Sequence, residues 1–345
     1  MTSFDVAKLA GVSQPTVSRA LRNLPGTSPQ TRERVRAAAR ELAYIPSDRG
    51  RALSLQRTHR IAVVVEELTN PYYPELVEPL RRELSPHGYQ VVLVSDAPKS
   101  DRLAATLADG SYDGVILTTT TRRSTLPSEL TEAQVPHVLV NRVLDSPDSP
   151  SCAADNHGGA ALVARLLADL GHVRIATIQG PANTSTGMQR AQGLRAGLAR
   201  HDLRIPRELF VRAPFTHEAG TDAALRLLSI SPRPTAVVCG NDVLAFGAMS
   251  AAKSLGLDIP GEVTIIGFDD IPLAGWPIVG LTTVRCDLSQ LAHRSVRLLA
   301  EQLEGAPIRG QLHLVEAALV ERGTHGPPVD SSRLPARGNQ PRRVG

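Results

Sequence analysis

Two periodicities divide the chain. In the first 45 residues apolar positions recur at helical spacing in three short stretches: Val6, Leu9 and Ala10; Val17, Ala20 and Leu21; Val35, Ala38, Ala39 and Leu42. Gly11 separates the first two and permits a positive φ. Ser3 is the expected N-cap of the first helix, with Asp5 in its first turn, where the helix dipole favours an acid. Ser13 is placed to cap the second helix, and Ser28-Pro29 to open the third as N-cap and first helical residue. Two short helices about a tight glycine turn predict a helix-turn-helix.

From Ile61 the pattern changes to short apolar runs alternating with amphipathic segments. The spacing predicts strands at Ile61–Val65, Val91–Val94, Gly114–Leu117 and His137–Val140. A second set follows at Ile175–Ile178, Leu209–Arg212, Ala236–Cys239 and Val263–Ile266. Helices fill the gaps at Pro74–His87, His157–Leu170, Met188–His201, Glu218–Leu228, Val243–Leu255 and Leu288–Glu304. Alternating βα units imply parallel sheets with helices on both faces, and two successive sets imply two lobes. The fold expectation is therefore an all-α head on a two-lobed α/β body. Its expected bounds are 1–45 for the head, 46–60 for a connecting hinge, 61–325 for the body and 326–345 for a disordered Pro-, Gly- and Arg-rich tail.

Charge sharpens this division. Residues 1–60 hold eleven Lys/Arg against four acids, which puts +7 on them and leaves −3 on the remainder of the +4 chain. A basic head on a mildly acidic body points to a polyanion as the head's partner. No apolar run approaches the ~18 residues a membrane span needs, and Asp5, Lys8 and Arg19 interrupt any signal-like stretch. Cys152, Cys239 and Cys286 lie far apart with no C-x-x-C pair, which disfavours zinc or disulfides and fits a reducing cytoplasm. The chain contains no G-x-G, no P-loop and no G-x-S-x-G, so dinucleotide, nucleotide and hydrolase chemistry lack their motifs. No enzymatic role, cofactor or metal is expected.

In a helix-turn-helix the second helix enters the major groove of double-stranded DNA with its N-terminal residues against base edges. The face opposite Val17 and Leu21 carries Gln14, Pro15, Ser18, Arg19 and Arg22. Gln pairs with adenine and Arg with guanine through paired hydrogen bonds; Ser13, Thr16, Ser18 and Arg22 suit phosphates. In the body, wound parallel sheets bind ligands at the carboxyl ends of their strands. That rule selects Asn141, Arg142, Asn241 and Asp269, with Arg190 at a helix start and Tyr72, Tyr73 and Trp276 as flat apolar faces. Amides, guanidinium and carboxylate donate and accept in fixed geometry, which suits a neutral, hydroxyl-rich effector such as a sugar. A carboxylate or a purine is served equally well by Arg190 and the tyrosines.

The run from Asp5 to Leu21, DVAKLAGVSQPTVSRAL, with Thr31–Val35 and Leu42–Pro46, resembles the DNA-binding signature of the lactose/galactose repressor (LacI/GalR) family. Asn70-Pro71-Tyr72-Tyr73, Ala154–Gly159, Leu170–Ala176, Gly240-Asn241-Asp242, Gly267–Ala274 and Leu281–Val284 resemble motifs of the same family, so the likeness spans about residues 3–323. It implies a homodimeric, allosteric transcription regulator, most simply a repressor, with a periplasmic-binding-protein-like body. It implies effector contacts at Tyr72, Tyr73, Asn141, Arg142, Arg190, Asn241 and Asp269. It also implies a hinge helix that folds on operator DNA and wedges Leu53 into the minor groove. The chain departs from the family in carrying Ser47, Gly50, Asn141 and Cys286-Asp287. A helical Gly costs about 0.8–1.0 kcal/mol relative to Ala, so Gly50 is expected to weaken the hinge helix. The tail shows no leucine heptads, so a dimer rather than a tetramer is expected.

Overall fold

The computed structural model describes residues 1–21, 23–44, 57–66, 68–95, 102–146 and 148–328. Arg22, residues 45–56 with Gly50 and Leu53, and the tail beyond 328 lie outside the described residues. The chain divides into two compact units, Met1–Thr58 and His59–Gly345.

The first unit has three helices: α1 (Ser3–Ala10), α2 (Gln14–Leu21) and α3 (Pro29–Glu41). Val6, Ala7, Ala10, Val17, Ala20, Val35, Ala38 and Ala39 form its core; of the positions the helical spacing selects, Leu9 is instead 46% exposed, and Ala7 is buried in its place. Gly11 ends α1 with φ 62°, and Ser28 caps α3. The N-cap of α1 is Thr2, not Ser3: the Thr2 hydroxyl accepts from the Asp5 N–H, and the Asp5 carboxylate accepts from the Thr2 N–H at 2.8 Å. Asp5 sits at the third helical position, so this reciprocal pair outcompetes a cap one residue later.

The second unit holds two parallel sheets. One contains β1 (Arg60–Val65), β2 (Gln90–Ser95), β3 (Gly114–Leu117), β4 (His137–Val140), β5 (Ser151–Ala154) and β11 (Leu312–Val315), in the order β11-β5-β4-β3-β1-β2. The other contains β6 (Ile175–Gln179), β7 (Phe210–Arg212), β8 (Ala236–Cys239) and β9 (Thr264–Ile266), in the order β7-β6-β8-β9. An antiparallel pair, β10 (Thr283–Cys286) with β12 (Ala317–Val320), completes the strands. All pairings within the two large sheets are parallel.

Helices cover both faces of each sheet. In the first lobe α4 (Tyr72–Leu84) packs on one side, and α5 (Leu103–Leu107) and α6 (Leu126–Glu132) on the other. In the second, α7 (Asn156–Asp169) and α8 (Ser185–Ala199) lie on one face, and α9 (His217–Leu228) and α10 (Asp242–Ser254) on the other. The helix α11 (Leu288–Leu303) returns to the first lobe beside α4. The chain thus crosses between the lobes three times: after β5, between β10 and α11, and between β11 and β12. α7 and α8 meet without side-chain spacing, because a Cβ on Gly193 would stand 2.3 Å from the His157 carbonyl oxygen. Gly326 is bonded to His172 and Thr264, so it still belongs to the packed body.

Candidate functional site

On the head, Ser13, Pro15 and Arg19 are exposed, and Gln14, Thr16 and Ser18 are half-buried along α2. The Ser13 and Thr16 hydroxyls share a hydrogen bond of 2.8 Å, and the Gln14 amide donates to Ser3 at 3.3 Å. Arg19 is the long cation this face leaves to solvent. Arg22 and Leu53 are outside the described residues.

In the body, segments that follow β1, β4, β7, β8 and β9, with α8, converge on one cleft between the lobes. Its lining brings together Tyr72, Tyr73, Asn141, Arg142, Arg190, Asn241 and Asp269, seven of the eight body residues singled out from the sequence. Trp276 is not among them. It follows a short 3-10 turn (Pro272–Gly275) well beyond the end of β9 and is 54% exposed. The aromatic wall on the second lobe is instead Phe215, just past β7, with Asn70 and Thr186 as further additions. The strand-end rule would have reached Phe215, since Leu209–Arg212 was already a strand candidate.

The centre of the cleft is Arg190. Its Nη2 lies 2.8 Å from Asp269 Oδ1, Nε donates to Asn156 Oδ1 at 2.8 Å, and Nη1 donates to the Gly240 carbonyl at 2.6 Å. The guanidinium also stacks 3.8 Å from the Phe268 ring centroid. Both charged side chains are buried, at 5% and 7% exposure. Burial raises the Asp269 carboxyl above its ordinary range, and the Arg190 charge opposes that rise. Tyr72 is held protonated by burial, well above the usual phenol value. Its hydroxyl donates to Asn141 Oδ1 at 3.1 Å. Arg142 donates to the Thr119 carbonyl at 3.1 Å and lies 3.2 Å from Glu66, while its buried Nε has no partner among the described residues.

Backbone strain concentrates here. Asn141 has φ 72° and Asp270 φ 53°, left-handed values that Asn and Asp tolerate, whereas Asp269 at φ 114° is held where the surroundings impose it. Asp242 at the start of α10, fully buried, holds the loop that carries Asp269 and Asp270. Its carboxylate accepts from the Ile271 N–H at 2.9 Å and from the Thr283 hydroxyl. Arg322 clamps Asp270 from outside at 2.7 Å. Asn241 caps α10 through Leu244 N–H at 2.9 Å. What remains is a narrow cleft, open to solvent, whose interior leaves about 20 Å³ free. Amide, guanidinium, carboxylate and phenol groups face it, with Tyr72, Tyr73 and Phe215 as its flat surfaces.

Two family models match. Residues 4–47 match bacterial regulatory proteins of the lacI family, and residues 164–325 match a periplasmic binding protein-like domain. The repressor CytR of Escherichia coli (strain K12) is 33% identical over 327 residues, covering 94% of this chain and 96% of that one. The chain belongs to the lacI family of bacterial regulatory proteins. Among solved structures, a complex of the transcriptional regulator CelR with cellobiose is 31% identical with a TM-score of 0.73. The lac repressor dimer bound to operator and the anti-inducer ONPF is 26% identical with a TM-score of 0.82. Each alignment covers 94% of this chain and 99% of the other. The helix-turn-helix head and the periplasmic-binding-protein-like body are thus those of a lacI-family transcription regulator. Among the described residues no helix is long and apolar enough to cross a membrane.

Proposed function

We propose that this regulator is a homodimeric, cytoplasmic repressor without enzymatic activity, whose operator affinity is set by a neutral, hydroxyl-rich small molecule, a sugar, held between the lobes. The observation that carries this reading is the charge balance of the cleft. Arg190 faces Asp269 and Arg142 faces Glu66, so neither guanidinium is left as an unmatched anion receptor. Paired amide and guanidinium donors suit adjacent hydroxyls, and Phe215, Tyr72 and Tyr73 suit the carbon face of a ring. The cellobiose held by CelR and the operator-bound lac repressor dimer support the same reading.

Residues 1–45 form the reading head, with Ser13, Gln14, Pro15, Thr16, Ser18, Arg19 and Arg22 toward DNA. The segment between head and body carries the hinge with Leu53, and the body, which begins with His59 and includes Gly326, carries the effector and dimer functions. The cleft lies between the two lobes, so a ligand held there touches both and favours one lobe arrangement over another. The arrangement the ligand prefers then decides operator affinity. A thermal-stability screen of the full chain against monosaccharides, disaccharides, sugar acids and nucleosides tests this. A ligand at 100 times its dissociation constant adds about 2.7 kcal/mol. Stabilisation by a neutral sugar is expected; stabilisation only by anions would overturn the reading.

A further inference from the structure

α8 is a wall with two sides. Thr186 and Arg190, one turn apart, face the cleft described above. Ser185, Gln189 and Gln192, on the neighbouring face about a hundred degrees round the helix, face a second cavity of about 330 Å³. That volume is at the lower end of the roughly 300–1,000 Å³ of small-molecule sites. The first lobe closes this cavity with Arg122, Asp145 and Leu312.

The cavity lies on a bonded seam between the lobes. Arg122 Nε donates to Asp145 at 2.7 Å, its Nη1 donates to the Ala182 carbonyl at 3.1 Å, and its N–H donates to the Asn183 carbonyl at 2.8 Å. The Val143 N–H donates to the Ser185 hydroxyl at 2.9 Å. The seam also reaches Arg190. Gln189 Oε1 accepts from Asn156 Nδ2 at 3.1 Å, and Asn156 Oδ1 accepts from Arg190 Nε at 2.8 Å. A group that engages Gln189 therefore pulls on the residue that orients Arg190.

We infer that this cavity is a second small-molecule site, which takes a neutral, oxygen-rich ligand of monosaccharide size and is coupled to the first cleft through Gln189 and Asn156. The chemistry follows from the lining. Asp145 neutralises Arg122, so no net charge selects an anion. The Ser185 hydroxyl and the Gln189 and Gln192 amides present donors to ligand oxygens, while Met188 and Leu312 give an apolar flank for ring carbons. Among the described residues no aromatic ring lines the cavity, so a ligand there is held by hydroxyl contacts and not by stacking. The coupling, though not the site, rests on the reading of the first cleft as an effector site.

The test is calorimetric titration of the full-length protein with D-ribose and with D-glucose at millimolar concentration. The first cleft is disabled by R190M/D269N, or independently by Asn70→Trp at its rim. The second cavity is filled by Gln192→Trp, whose side chain starts exposed. Chains disabled at the first cleft are expected to keep one sugar-binding event, which Gln192→Trp removes. In the otherwise unaltered protein, Gln192→Trp or Gln189→Ala is expected to change first-cleft affinity by about five-fold or more. Absence of sugar binding in both first-cleft variants, or binding indifferent to Gln192→Trp, overturns the second site. If unaltered protein and the first-cleft variants bind identically and Gln192→Trp abolishes both, the first-cleft reading fails and the second site stands.

Discussion

Removing Arg190 should expose how tightly the cleft is locked. In Arg190→Met the Asp269 carboxylate stays buried at 7% exposure, held at φ 114° and without its cation. Breaking a buried ion pair from one side costs about 3–5 kcal/mol, a large share of the about 5–15 kcal/mol that holds a typical protein together. With m near about 3 kcal/mol/M for a body of this size, the urea midpoint should fall by about 1–1.7 M. The penalty should depend on pH. The Asp269 carboxyl is already raised by burial, and loss of Arg190 raises it further. A carboxyl whose folded value exceeds its unfolded value loses stability as pH climbs from the unfolded value, about 3.9, to the folded one. The variant should therefore be weaker at pH 8 than at pH 5. In R190M/D269N the orphaned charge is gone, and Asn tolerates the left-handed backbone. Asn156 and Gly240 still lose their donor, so the double variant remains below the unaltered protein. It should nonetheless exceed the sum of the single variants by about 2–3 kcal/mol. Urea unfolding at both pH values, followed by circular dichroism, measures all three. A pH-independent loss under about 1 kcal/mol in Arg190→Met would refute a buried, interdependent pair.

Arg19→Ala, on the exposed face of α2, should cost about 1–3 kcal/mol at a specific site; equal loss on random DNA in an anisotropy titration would make it a phosphate contact. Gly193→Ala should destabilise by about 1–3 kcal/mol through overpacking, despite the better helix propensity of Ala, because its Cβ meets the His157 carbonyl at 2.3 Å; an unchanged melting temperature would contradict that close approach. His172 is held below its ordinary value by burial, with its ring nitrogens against Thr235 and the Gly326 carbonyl. The unfolded chain then takes the proton first, so stability should be full above about pH 6.5 and fall as pH drops below it, by at most about 1.4 kcal/mol per pH unit. His172→Gln should flatten that acid slope, and an unchanged slope would remove His172 as its source.

The cleft was legible in the sequence because its residues sit where strands end. Asn141 follows β4, Asn241 follows β8 and Asp269 follows β9, and patterning alone placed those strands to within one residue. Trp276 stands out by its chemistry rather than its place, and it lies outside the cleft lining, whereas Phe215, just past β7, is in it. The head's signal for Thr2 was also present, since Asp5 stands three residues on. Two adjacent hydroxyls nevertheless made Ser3 look equivalent. β5, β10, β11 and β12 left no legible pattern. Each is four residues long, and each becomes a strand because a distant neighbour supplies its hydrogen bonds, as β5 does for β11 across the first lobe's sheet. The second cavity could not be read at all: it depends on which side of α8 faces which lobe, a property of packing rather than of spacing.

The most direct test of the central claim is operator affinity measured with and without the sugar found by screening. Duplexes selected by the full chain from a random pool are titrated by fluorescence anisotropy, using the unaltered protein and R190M/D269N. The account predicts a near-palindromic site bound by a dimer, with affinity that shifts ten-fold or more on adding the sugar. It predicts that R190M/D269N keeps the sugar-free affinity and loses the shift. A monomer on a single half-site, or a shift that survives unchanged in R190M/D269N, would contradict it.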